Sequence, residues 1–326
     1  MLPTQQGSIR LFRFAGIQVF LHWSWFAVAL IEINTRSREY SSFLWNCLEY
    51  LALFAIVLMH EFGHALACRQ VGGQAQRIVL WPLGGVAYVS PPQRPGATLW
   101  SIAAGPLVNV ALAPILIGIF FLARQSNLPA LAPDLYLLIR SVCFINLGLL
   151  VFNLMPIFPL DGGQILRSLL WFVFGRARSL MITTIIGFIG VAGLIVLAVV
   201  MGNLWLGILS GFILLNCWAG LRHALLLSRV AKLPRRSGYT CPACGQAPVL
   251  GALWRCSRCF KPFDSFEPHA HCPHCGADFP VTQCLDCGAA RPIEEWGAPP
   301  PIATWSSAPP PIPGAAIPPL IPPNVQ

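Results

Sequence analysis

Two histidines four residues apart, with a glutamate beside the first, make His60-Glu61-Phe62-Gly63-His64 the stretch of this chain best equipped for chemistry. On a helix, residues four apart share a face, so both imidazoles can direct a nitrogen at one metal ion while Glu61 lies alongside. This H-E-x-x-H spacing is the one by which zinc hydrolases hold a metal and a general base. The motif sits within Leu51 to Cys68, a run otherwise almost wholly apolar. An ionisable group inside a membrane helix costs about 2.5 kcal/mol or more unless it is paired, metal-bound or wet, so three within five residues call for a shared purpose. The plainer alternative is a polar patch held by hydrogen bonds between helices.

A catalytic zinc needs three protein ligands and an open position. Residues 41 to 227 contain only four acids, Glu49, Glu61, Asp134 and Asp161. Glu49 stands about three helical turns from His60. Asp161 follows Met155-Pro156-Ile157-Phe158-Pro159-Leu160 and precedes Gly162-Gly163, a sequence that breaks a helix. Broken helices at membrane depth are tolerated chiefly where they line a cavity or a site. Asp161 is therefore the expected third ligand, completing a set with His60 and His64.

The elements that must position these residues belong to a membrane protein. The chain has 326 residues, 56% hydrophobic and 10% charged, with a mean hydropathy of +0.65. Such values exclude an ordinary soluble domain. The expected fold class is an all-α polytopic membrane protein of about six transmembrane helices with a short β-hairpin insertion. Runs near 20 apolar residues predict spans at 14–33, 48–69, 98–123, 136–157, 179–201 and 204–227, with a short amphipathic helix at about 163–174. Twelve basic residues then fall on one side of the bilayer and three, Arg36, Arg38 and Arg124, on the other. That asymmetry places both termini in the cytoplasm, with the chain in the cell (inner) membrane. Met1 to Ile9 lacks the pattern of a cleaved secretory signal.

Several further residues stand out. His22-Trp23-Ser24-Trp25 opens as either an interfacial anchor or a contributor to the active site. Gln76 to Ser90, β-branched and aromatic around Gly84-Gly85, reads as a hairpin whose edge strand could add an extended peptide, or as a plain connection. In Ala104-Gly105-Pro106-Leu107-Val108-Asn109, small residues favour close helix contact and Asn109 can bond across helices.

Four segments together resemble the site-2 protease family of intramembrane zinc metalloproteases: His60-Glu61-Phe62-Gly63-His64, Ala104 to Asn109, Asn153-Leu154-Met155-Pro156, and Pro159-Leu160-Asp161-Gly162-Gly163. The resemblance covers about residues 10 to 227. His22-Trp23 and the lack of a PDZ-like insertion are similar to the compact sporulation-type and archaeal branch. Cysteine-rich sequence stands where that branch often carries a nucleotide-binding CBS pair. The resemblance implies that zinc on His60, His64 and Asp161 polarises a water, that Glu61 takes its proton and passes it to the leaving amine, and that Asn153 holds substrate or steadies the oxyanion. His22 is a weaker candidate for that last task, and Asn109 for contact with substrate or gating. It further implies a membrane-tethered protein substrate, such as a transcription regulator or anti-sigma factor. A zinc transporter or metal sensor, or a silent scaffold acting through the cysteine-rich region, are the competing readings.

After residue 232 the composition changes. A linker at 233–240 leads to four C-x-x-C knuckles, Cys241/Cys244, Cys256/Cys259, Cys272/Cys275 and Cys284/Cys287, expected over 241–290. Two knuckles complete a tetrahedral zinc site, and the stretch resembles a double zinc ribbon with sequential pairing, first knuckle with second and third with fourth. The implied cofactors are one catalytic and two structural zinc ions. A cytoplasmic protein partner suits the ribbons. The local basic cluster of Arg255, Arg258 and Lys261 is too small to favour nucleic acid. Residues 291–326, rich in Pro and Ala, read as a disordered or polyproline tail.

Overall fold

The structure is a computed structural model, and it describes residues 7–35, 39–81, 84–267 and 270–297. The chain divides into two compact units, residues 1–221 and 222–326.

In the first unit, five helices are long and apolar enough to cross a membrane among the described residues: α2 (Phe43–Gln70), α3 (Pro95–Gln125), α5 (Pro133–Leu154), α6 (Asp161–Val200) and α7 (Leu204–Ala231), the last running into the second unit. The protein is an integral membrane protein. A short α4 (Leu128–Leu131) links α3 to α5. Gly175, with φ of 75° and ψ of 172°, interrupts α6. The segment before it matches the short helix expected at 163–174, and the one after it the fifth span.

The first expected span, 14–33, is not one helix. It is a strand, β2 (Ile17–His22), followed by α1 (Ser24–Thr35), whose 12 residues rise only about 18 Å. Hydropathy counted apolar residues without regard to period. Ile17, Val19 and Leu21 are buried while Gln18, Phe20 and His22 between them are partly exposed, the alternation of a strand. This segment climbs alongside α2. Arg69, near the end of α2, donates to the carbonyls of Ala15 and Ala75, whereas Trp25 packs edge-on against Tyr50 and Phe54.

The expected hairpin is present as β3 (Gln74–Trp81) and β4 (Gly84–Ser90), but it is half of a larger sheet. An N-terminal hairpin of β1 (Ser8–Phe14) and β2 joins it, giving the order β1-β2-β3-β4. β2 and β3 pair in parallel, with Val19 opposite Ile78 and Leu21 opposite Leu80. Central β3 buries Ile78, Val79 and Leu80 completely. Ile78 and Leu80, together with Ile17, Val19 and Leu21, form a core against Val57, Ala65 and Cys68 of α2. The sheet thus lies along α2 with β4 at one edge, beside the H-E-x-x-H turn.

The second unit is a small cysteine-bearing fold with two short hairpins, β5 (Trp254–Arg255) with β6 (Pro262–Phe263) and β7 (Val281–Gln283) with β8 (Ala290–Pro292). Its aromatic core joins Tyr239, Trp254, Phe266 and Trp296 in edge-to-face contacts. Ordered structure therefore continues past residue 290. β8 and a 3-10 turn, Ile293–Trp296, belong to this unit, and Trp296 is fully buried. The expected tail begins no earlier than Gly297, and its remainder, 298–326, lies outside the described residues.

Candidate metal centre and active site

His60, Glu61 and His64 lie in the second half of α2, all buried. α3 approaches this turn closely because Gly63 offers no side chain: a Cβ there would stand 2.6 Å from the carbonyl oxygen of Ala104. Gly105 serves the site directly. A Cβ on it would meet His64 Cε1 and Nε2 at 2.3 Å and His60 Nε2 at 2.8 Å. The small residues of Ala104-Gly105-Pro106 thus form a wall of the site as well as a helix contact.

Asp161 is the first residue of α6. The break before it is clamped by packing. Ile157 is buried against Gly190, Phe158 lies against Gly187 and Gly220, and the Cys217 thiol donates to the Phe158 carbonyl at 2.8 Å. The result brings Asp161 Oδ2 to 3.0 Å from His60 Nε2 and 3.3 Å from His64 Nε2. The two Nε2 atoms are 3.1 Å apart. Three donor atoms of the type and number a catalytic zinc takes thus converge within 4.8 Å of one another. Both Nδ1 atoms are engaged behind the site, His60 with Asn109 Oδ1 at 2.7 Å and His64 with the Ser101 carbonyl at 3.0 Å. That leaves both Nε2 lone pairs facing inwards, the arrangement a metal requires, and the residues fit zinc.

Glu61 stands beside the three donors and is held by β4. Its Oε2 accepts from the Ala87 N–H at 2.8 Å, and a Cβ on Gly85 would overlap its Cγ at 2.2 Å. Glycine at 85 is needed for the edge strand to lie this close.

Other expected site residues fall elsewhere. His22 Nδ1 accepts from the Ser24 N–H at 3.3 Å at the start of α1, and its ring lies beside Trp23. It is outside the three-donor group. Asn153 is half-buried in the last turn of α5 and makes no side-chain hydrogen bond among the described residues. Glu49, set aside as too far along α2, is buried and accepts from Tyr40. Asn146 of α5, fully buried against Asn109, escaped the sequence reading because a lone Asn in an apolar span carries no motif.

Comparison with known proteins bears on this geometry. The model of Peptidase family M50 matches residues 49–137 and 130–197, a stretch that contains His60, Glu61, His64 and Asp161. Residues 49–197 of the membrane unit are thus similar to peptidase family M50. The zinc metalloprotease MJ0392 of Methanocaldococcus jannaschii is 35% identical over 182 residues, covering 55% of this chain and 50% of that protein. Stage IV sporulation protein FB of Bacillus subtilis is 36% identical over 118 residues, 36% of this chain and 38% of that protein. This chain thus spans half or less of the length of these curated relatives. The solved site-2 protease from M. jannaschii is 29% identical, with a TM-score of 0.48, and the match covers 66% of this chain and 95% of that one.

The cysteine knuckles lie beyond the residues matched by the M50 model, and their pairing corrects the sequential expectation. Cys241 and Cys244 group with Cys284 and Cys287, and Cys256 and Cys259 with Cys272 and Cys275. The fourth knuckle closes on the first, and the third on the second, a nested arrangement. Sγ atoms stand 3.7 Å apart for Cys241 and Cys287, 3.8 Å for Cys244 and Cys284, 3.6 Å for Cys256 and Cys275, and 3.7 Å for Cys259 and Cys272. Four thiolates at 2.3 Å from a tetrahedral zinc are separated by about 3.8 Å, so both groups have the size of a zinc site. The nesting follows from the core. Trp254 donates through Nε1 to the Gln283 carbonyl, and Arg235 pairs with Asp286, so the fourth knuckle is drawn back towards the chain entering the first. Burial pushes the Cys256 thiol up, but the N–H groups of Cys259 and Arg258 and the adjoining thiols bring it down to about 6. The Ala277 N–H lowers Cys275, but burial and its three neighbouring thiols outweigh that and push it up to about 12. His271, paired with Asp278, and His274 lie outside both groups.

Proposed function

We propose that this chain is an intramembrane zinc endopeptidase that hydrolyses a peptide bond in or near the membrane-spanning segment of a tethered regulatory protein. The observation that carries the reading is the convergence of His60, His64 and Asp161 donor atoms, buried among apolar spans, with Glu61 beside them. In this reading His60, His64 and Asp161 hold zinc. Bound there, zinc supplies the Lewis acidity that activates water towards a peptide carbonyl. Glu61 is the general base and then the acid that protonates the leaving amine. Its tether to the Ala87 N–H occupies one oxygen, Oε2, and leaves Oε1 for proton transfer. Asn153, whose side chain makes no hydrogen bond among the described residues, is assigned to the substrate backbone or the oxyanion.

A helical peptide shields its amides, so cleavage demands an extended substrate. Strand addition at the β4 edge, next to Glu61, would supply that conformation. The membrane topology that fits is the one with both termini cytoplasmic. Parallel pairing of β2 and β3 supports it, because Arg10 and Arg13 are thereby held with Arg69 and Arg77 at one end of α2. The two cysteine groups are assigned structural zinc ions, and the unit they build is assigned to binding a cytoplasmic protein.

The transporter reading lacks support from the buried polar residues. Ser168, Ser179, Thr183, Thr184 and Ser210 all donate to carbonyls of their own helix, and among the described residues no train of ligands runs along the spans. The test is Glu61→Gln in the full chain. Zinc content should match the parent, while cleavage of a membrane-tethered substrate falls by about 10²–10⁴-fold. Undiminished cleavage would remove Glu61 from the reaction.

A further inference from the structure

Behind the three donors runs a chain of hydrogen bonds whose direction is fixed by a residue that none of the motifs contains. Asn146 Nδ2 lies 3.1 Å from the backbone carbonyl of Asn109, Asn109 Nδ2 lies 2.8 Å from Asn146 Oδ1, and Asn109 Oδ1 lies 2.7 Å from His60 Nδ1. Both asparagines are fully buried. A main-chain carbonyl only accepts, so the Asn146 atom facing it must be the amide nitrogen. The other Asn146 atom is then the oxygen, and Asn109 must turn its NH₂ towards that oxygen. This leaves the Asn109 oxygen towards His60, where it can be satisfied only if His60 Nδ1 carries the proton. The lone pair is thereby confined to Nε2, the atom that faces Asp161 and His64.

We propose that Asn146 is a positioning residue for the metal centre, acting through Asn109 to hold His60 in the one tautomer and orientation that can ligate a cation. The inference rests on the reading of His60, His64 and Asp161 as the zinc ligands. His64 obtains the same service directly, from the Ser101 carbonyl. His60 has no main-chain oxygen in that place among the bonds described, so the polarity of a carbonyl on α3 is relayed to it through two side-chain amides. Without Asn146, the Asn109 amide is free to turn over and present NH₂ to Nδ1, which drives the proton onto Nε2 and blocks coordination. A role in helix packing alone would be met by the reciprocal pair of Asn109 and Asn146. It would not need the remaining oxygen to point at a ligand imidazole.

The test is chelator competition on the full chain in detergent, following the zinc-release step that His60→Ala abolishes. Asn146→Leu should weaken zinc at that step by about 10–100-fold, the scale for partners of metal-bound histidines, with release from the cysteine sites unchanged. Adding Asn109→Asp to Asn146→Leu should restore most of the affinity, because a carboxylate accepts from His60 Nδ1 whichever way it is turned. Helical content and elution volume establish that each variant is folded. Asn146→Leu releasing zinc like the parent would overturn the proposal, as would a folded double variant that regains none of the loss. Should the parent show no release step that His60→Ala removes, the metal reading itself falls and this inference with it. The two failures are therefore separable.

Discussion

Replacing Gly105 by alanine should empty the metal centre while leaving the helices standing. In the middle of a helix this change ordinarily stabilises by about 1 kcal/mol, since alanine has the higher propensity. Here the added methyl would lie 2.3 Å from the His64 ring, against an ordinary contact distance of 3.4 Å or more. The imidazole would have to recede by about 1.1 Å, several times the roughly 0.2 Å over which a zinc–nitrogen bond can vary. His60 Nε2, at 2.8 Å from the same methyl, is displaced too. Neither ring can retreat easily, because His60 Nδ1 is tied to Asn109 and His64 Nδ1 to Ser101. Affinity for zinc at this site should fall by at least about 100-fold, close to 3 kcal/mol. The assay is zinc per chain after dialysis against a weak chelator, with cleavage and thermal melting measured on the same sample. We expect a loss of one equivalent matching that of His60→Ala, no turnover, and a melting transition of the apoprotein no lower than that of the zinc-stripped parent. Full zinc occupancy in Gly105→Ala would refute the reasoning, since no room exists for both the methyl and two coordinating rings in this geometry.

Two further outcomes concern the second unit. Nested pairing predicts that Cys241→Ser and Cys287→Ser strip the same metal, so that the double variant loses no more zinc than either alone. Cys241→Ser combined with Cys256→Ser should lose two equivalents, and cadmium NMR would distinguish the sites. At the turn closing each knuckle the backbone takes positive φ, at Gly245, Phe260, Gly276 and Gly288, and only Phe260 carries a side chain there. Phe260→Gly should accordingly be more stable than Phe260→Ala by about 1 kcal/mol, the strain of the left-handed conformation, as read from chelator-induced unfolding. Equal stabilities would show that the turn relaxes.

The residues that converge at the candidate site are more legible in the sequence than the elements around them. His60, Glu61 and His64 could be read because a helical repeat places them on one face. Asp161 could be read because carboxylates are so scarce in these spans. The four knuckles were equally plain, since C-x-x-C is a local signal. What escaped depended on contacts distant along the chain. Ile17, Val19 and Leu21 look like part of a spanning helix until their pairing with β3 shows why alternate residues are buried. Which knuckle closes on which is decided by Trp254, Phe266 and Trp296 meeting in one core, information that knuckle spacing does not carry. Gly85 and Gly105 read as a turn and a packing residue, because the side chains that need their empty space come from another helix.

The nesting of the knuckles has a consequence for how that unit comes together. The inner four thiols bridge positions 13 apart at Cys259 and Cys272, whereas the outer set must join Cys244 to Cys284 across 40. Closing the shorter loop carries the smaller entropic cost. Once closed, it shrinks the slack between the outer cysteines to two short arms. Were both groups to hold metal, assembly would run inner ion before outer. The outer ion would tie the chain that enters this unit to the chain that leaves it, a clasp expected to open first when metal is scarce.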